Sequence, residues 1–168
     1  MAHGRKNLLT QGNLLIVWGE RHMTGIAIAD EQHRGIVSII NSLYYSRFSP
    51  KKENLLRATN KMILGYTKIH FKDEMELLKD SGYPQFNEHQ AQHDHLIAES
   101  DRMFHACLEE GGDPGPYLRF LKDWWQNHIL HEDMAYVGHL LNYLHSGRQV
   151  VTKTVKHRPA AASHRRSR

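Results

Sequence analysis

Cysteine is almost absent. The chain has one, Cys107, so no internal disulfide can form, and a small apolar helix residue is its expected role. Long apolar runs are absent as well. Leu14-Leu15-Ile16-Val17-Trp18 is too short for the core of a secretory leader, no small-residue cleavage site follows it, and no stretch approaches membrane-spanning length. A cytoplasmic protein is expected. Acid is missing from the end of the chain: Arg148, Lys153, Lys156, Arg158, Arg165, Arg166 and Arg168 stand there without one Asp or Glu. The formal net charge of +4 therefore belongs to that stretch, and the remaining fifteen cations against 18 acids leave the body near −3. No segment alternates as a strand would.

What is present is helix periodicity. At 168 residues the chain fits one domain with a core of its own. An arm over residues 13–29 holds Trp18, Gly25, Ile26 and Ile28. Asp30 suits the N-cap of a first helix to about Arg47, and Ser49-Pro50 suits the start of a second reaching about Lys79. Ser81-Gly82-Tyr83-Pro84 breaks the chain before a third helix from about Asn87 to Glu110. Gly111-Gly112-Asp113-Pro114-Gly115 stops that one, and a fourth runs from about Pro116 to His145. Four long amphipathic segments on short loops predict an all-α, up-down-up-down antiparallel four-helix bundle. The expected division is a flexible N-terminus over 1–12, the bundle over 13–147 and a basic, disordered tail over 148–168. The tail's cations admit nucleic acid or an anionic membrane as partners, but no aromatics interleave with them, and a solvated extension is the expected reading.

Metal-competent side chains fall on the inward stripe of every predicted helix: His33; His70 and Glu74; His89 and His93; His128 and Asp133. The i,i+4 pairs share a helix face. Alternating early and late positions bring the four groups to one level of an antiparallel bundle. Five imidazoles and two carboxylates exceed what one ion takes and suit two ions sharing bridging carboxylates. Histidines buried without a metal would leave a core full of nitrogens needing partners. Neutral imidazole with carboxylate points to iron, manganese or zinc, and away from calcium or magnesium. Two other constellations are excluded. The His89–His93 stretch lacks the glutamate that a zinc metalloprotease places after its first histidine, and the chain has no Glu-x-x-His, the repeat of carboxylate-rich di-iron oxidases. His128 to Asp133 is an awkward spacing: on an ideal helix the two Cβ atoms lie roughly 140° apart, so a local π-type widening is expected there. The other histidines, His22 among them, are expected to be exposed, and Tyr66 either bonds a ligand or packs.

These residues resemble the bacterial hemerythrins. The resemblance rests on Gly25-Ile26-Ala27-Ile28-Ala29-Asp30-Glu31-Gln32-His33, His70-Phe71-Lys72-Asp73-Glu74, His89 with His93, and His128-Ile129-Leu130-His131-Glu132-Asp133, with Trp18 in the arm. It spans about residues 17–144 and fills every ligand position. It implies two iron ions with an oxo or hydroxo bridge, and reversible binding of dioxygen as hydroperoxide. His89, His93 and His128 would hold one iron. His33 and His70 would hold the other, whose open position takes dioxygen, while Glu74 and Asp133 bridge. Ile36, Trp124, Trp125 and Ile129 match positions that line the oxygen pocket, although any of them also reads as ordinary core. Storage, delivery or local supply of oxygen is the leading expectation, with an oxygen-consuming enzyme as a conceivable partner. A sensor acting through arm or tail, a peroxidase-like or nitric-oxide-handling enzyme, and an iron store stand as alternatives.

Overall fold

The computed structural model describes residues 14–109 and 113–155, with side chains to residue 147. Expectations for residues 1–13, 110–112 and 156–168 lie outside the described residues. Helix α1 spans Ala27–Ser46, α2 Lys52–Ser81 and α3 Phe86–Glu109. The fourth rod is α4, Gly115–Asn127, then a π-helical segment, His128–Asp133, then α5, Met134–Val155. No strand occurs among the described residues, and the four rods make the expected bundle.

Apolar periodicity sets each packing face. Ile36, Val37, Ile40 and Leu43 of α1 are buried, as are Leu56, Ile63, Phe71 and Leu78 of α2. Tyr66 of α2 packs on Gly35 of α1, where a Cβ would lie 2.7 Å from its hydroxyl. Tyr66 is thus a packing residue. Buried apolar residues form two compartments. One holds Ile36, Phe71, Trp124, Trp125 and Ile129, and the other Ile26, Ala29, Met75, Leu78, Tyr136 and Leu140. Along every rod the predicted metal ligands fall between the two.

Several helix ends differ from expectation. The first helix begins a turn early, at Ala27, so Asp30 is not its N-cap. Its buried carboxylate instead accepts the amides of Thr24 (2.7 Å) and Gly25 (3.1 Å) and the Thr24 hydroxyl (2.9 Å), which ties the arm to the helix. Gly25, at φ 77°, makes the reversal needed there. The second helix begins at Lys52, because the Ser49 hydroxyl caps a preceding turn by accepting the Lys51 amide at 3.1 Å. It ends on left-handed Gly82, φ 68°, with the Tyr83 amide returning to the Leu78 carbonyl at 3.0 Å. The last helix runs past Gly147 to Val155; one glycine costs about 1 kcal/mol, too little to stop a helix without a capping motif or proline.

The arm is pinned. The Ile16 amide donates to Asn41 Oδ1 at 3.0 Å, and Asn41 Nδ2 donates to the Ile16 carbonyl at 2.9 Å. A short 3-10 turn, Glu20–His22, follows, and His22 is buried, not exposed as expected. Its Nδ1 accepts the Gly19 amide at 3.0 Å and its Nε2 lies 3.1 Å from Arg21 Nε, replacing water, while the ring packs 4.9 Å from that of Trp125.

Candidate metal centre

Each rod aims its predicted ligands into the layer between the two apolar compartments. His33, His70, Glu74, His89, His93, His128 and Asp133 are all buried. One ligand atom from each of Glu74, His89, His93, His128 and Asp133 lies within 4.8 Å of the others, and the same holds for His33, His70 and Asp133. All seven predicted residues are brought together, in two sets that share Asp133.

The i,i+4 spacing does the work on α2 and α3. His70 Nε2 is 3.4 Å from Glu74 Oε2, and the His89 and His93 rings are 4.4 Å apart. In the fourth rod the π segment does it. Widening the turn lifts Asp133 over His128, leaving Oδ1 3.2 Å from His128 Nε2. The other oxygen, Oδ2, lies 3.2 Å from His33 Nε2, so one carboxylate faces both sets. Glu74 does likewise, with Oε1 2.8 Å from His89 and Oε2 within 3.5 Å of both His70 and His93.

Two imidazoles are held from behind. His70 Nδ1 donates to Gln32 Oε1 at 3.0 Å, and His128 Nδ1 donates to Glu132 Oε2 at 2.5 Å. The Gln32 bond fixes the His70 tautomer that leaves Nε2 as a bare lone pair, and the Glu132 bond orients the His128 ring. Their Nε2 atoms face other histidines: His33 and His70 Nε2 are 3.0 Å apart, and His93 and His128 Nε2 are 3.1 Å apart. Phe71 stacks on His93 at 3.5 Å and fixes its plane.

Burial lowers His33 to about 4, His70 to about 3 and His93 to about 2, against the attraction of Glu74, so all three are neutral at pH 7. Burial also opposes charge on His128, but Asp133, Glu132 and Glu74 together outweigh it and hold this ring above its ordinary value. For Glu74, burial is overcome by the His89 hydrogen bond and neighbouring imidazoles, which place it well below the carboxylate range. Asp133 goes the other way. Burial and the nearby Glu74 charge push it well up, and neither of its oxygens has a hydrogen-bond partner. Neutral nitrogens and unsatisfied carboxylate oxygens converging in a dry layer fit cations, and the donor set suits iron, manganese or zinc.

Ile36, Trp124, Trp125 and Ile129 are buried together in the larger compartment. Trp124 lies 6.4 Å from the His128 ring, whereas Trp125 faces the arm, 6.0 Å from Trp18. Trp18 itself lies 6.4 Å from His33. Gln32, Glu132 and Phe71 were not legible as site residues. Glu132 stands i,i+4 from His128, a usable signal, but Gln32 reaches across helices to His70 and no spacing reveals that. Replacing Gln32 with Leu should free the His70 ring and weaken metal binding by about tenfold or more, read by competition with a chelator. An unchanged affinity would deny Gln32 an orienting role.

The Hemerythrin HHE cation binding domain family matches residues 24–140. Bacteriohemerythrin of Stenotrophomonas maltophilia is 32% identical over 131 residues, 77% of this chain and 84% of that protein. Bacteriohemerythrin of Methylococcus capsulatus is 31% identical over 116 residues, 67% of this chain and 86% of that one. Wild-type hemerythrin, a solved structure, aligns with TM-score 0.64 at 29% identity over 75% of this chain and 98% of its own.

Proposed function

The chain belongs to the hemerythrin family, and from that premise we propose that the buried cluster holds two iron ions with an oxo or hydroxo bridge and binds dioxygen reversibly. The asymmetry of the cluster carries this reading. Three histidines and two carboxylates form one set, while the other has only His33 and His70 with the shared Asp133. A set with fewer protein donors would leave room for a small ligand on an ion held there. Iron held in the cluster would supply the reversible redox chemistry that dioxygen binding needs, with His33, His70, His89, His93, His128, Glu74 and Asp133 as its holders.

The chain's residues provide the rest. Glu74 and Asp133 offset cationic charge where water does not, and Gln32 and Glu132 hold their imidazoles aimed inward. Ile36, Trp124, Trp125 and Ile129 form an apolar wall that keeps water and reductants away, with Trp18 closing the arm side near His33. The role is storage, delivery or local supply of oxygen, with an oxygen-consuming enzyme as recipient. No described helix is long and apolar enough to cross a membrane, and a cytoplasmic location belongs to the proposal. A second reading, an oxygen or redox sensor, draws on the arm, whose Trp18 touches both His33 and Trp125.

The test is to reduce the iron-loaded protein without air, admit oxygen, and follow the visible charge-transfer band under vacuum. A carrier loses the band and regains it with fresh oxygen over several cycles. Passage to a stable ferric state in one exposure would overturn the carrier reading. Replacing Ile129 with Gln should speed that passage by about tenfold, as water gains access, and an unchanged rate would remove Ile129 from the wall.

A further inference from the structure

An amphipathic helix of a bundle turns its polar face outward, and α2 does not. Its inner face carries Leu56, Ile63, His70 and Glu74. Roughly 100° round the helix from these, and turned to solvent, stand Leu55, Met62 and Ile69, which are 42%, 59% and 55% exposed. They are seven residues apart, and between them Ala58 and Gly65 are also exposed. Together the five occupy the a and d positions of two successive heptads and the a position of a third, a seam of roughly 21 Å.

Gly65 adds a separate observation. A mid-helix glycine is unfavourable beside alanine, and nothing among the described residues requires it: a Cβ there would meet no described atom within 4 Å, and its φ is not positive. A glycine on a seam of this pattern lets a second helix backbone come close. A membrane surface would have no use for it.

Charge identifies the kind of helix. Arg57, Lys61, Lys68, Lys72 and Lys79 are exposed along one flank of the seam, within about 60° of arc, and no acid shares that sector. Glu53 pairs with Arg57 at 2.9 Å and Glu76 with Lys72 at 3.8 Å, leaving Lys61, Lys68 and Lys79 without an ion-pair partner among the described residues. The chain's own segments 1–13 and 156–168 contain bases and no acid, so they do not complement this flank. Two copies packed antiparallel on the seam would set the cationic row against itself.

We infer that the outer face of α2 is a docking seam for an acidic amphipathic helix of another protein, seated on Leu55, Met62 and Ile69 over Gly65 and flanked by Lys61 and Lys68. The same helix carries the buried His70 and Glu74, so the partner would sit on the rod that supplies two of the predicted ligands.

The probe is a fluorescein-labelled three-heptad peptide with Leu at a and d and Glu at e and g, titrated against the full iron-loaded chain by anisotropy. Saturable binding is expected, weakened about tenfold or more by Met62→Glu and several-fold by Lys68→Ala, with the same peptide bearing Lys for Glu binding far less. Gly65→Leu should weaken docking while raising the melting temperature, a combination that damage to the fold would not produce. Iron content and oxygen cycling should be the same in all variants, so failure here and failure of the oxygen-binding reading are separable. No binding at about 1 mM, equal binding by Met62→Glu, or equal binding of the two peptides would overturn the inference. So would a concentration-dependent dimer abolished by Met62→Glu, which would assign the seam to a second copy. Preferential binding to phosphatidylglycerol vesicles, lost in Met62→Glu, would assign it to a membrane.

Discussion

Replacing Asp133 with Asn is expected to reduce bound iron from two ions per chain to one or none, while making the metal-free protein more stable than the parent. Both effects arise from the same atoms. Asp133 is the one residue common to the two ligand sets, with Oδ1 directed at His128 and Oδ2 at His33. An amide keeps the shape but carries no charge and offers one acceptor oxygen in place of two, so it cannot bridge. Without metal, the carboxyl is a burden. It is wholly buried, has no hydrogen-bond partner, and is driven well above its ordinary pKa by desolvation and by Glu74. An amide is neutral without taking a proton from solvent, and its NH2 and carbonyl could each pair with the facing imidazole nitrogens of His33 and His128. The gain in the metal-free fold should be about 1–3 kcal/mol. Iron analysis and paired melts of loaded and metal-free protein read both effects. Full iron content in the variant would deny Asp133 its bridging role, and a metal-free variant less stable than the parent would mean the buried carboxyl has a partner that compensates it.

The sequence exposes periodic features and hides those made by contact between helices. His70 with Glu74 and His89 with His93 repeat at one helical turn, so their shared faces follow from geometry alone. The π segment was also legible, because His128 and Asp133 are five residues apart and an ordinary helix would turn them from each other. Gln32 was not, since its carboxamide is sequence-adjacent to His33 yet bonds His70 on the next rod. His22 lies in a short irregular turn with no period to read, and only packing against Trp125 shows that it is buried. Helix ends were misplaced where a capping residue had another use. Asp30 has the chemistry of an N-cap but holds the arm's amides, and Ser49 caps a turn ahead of α2.

Acid should unfold the metal-free protein over a defined window, and iron should shift that window downward. His33, His70 and His93 stand at about 4, 3 and 2 in the fold, against 6.5 for an unfolded histidine. Between pH 6.5 and about 4 the unfolded chain therefore binds up to three protons that the folded chain refuses, and stability falls as pH falls. Asp133 acts in the opposite sense. Its folded pKa is raised, so over the same range the fold holds a proton that the unfolded chain has lost. His128, raised in the fold, is protonated in both states near pH 5 and adds little there. The three histidines outweigh the one carboxyl by about two protons, a slope of about 3 kcal/mol per pH unit near pH 5. A domain with ordinary stability of about 5–15 kcal/mol would unfold within a few pH units on that slope. Bound iron requires the same nitrogens proton-free, so loading should move the midpoint to lower pH, with the shift growing with metal affinity. Urea melts at stepped pH, with and without iron, measure both. A flat profile from pH 6.5 to 4 in the metal-free protein would mean the buried imidazoles find water and are not held neutral by the core.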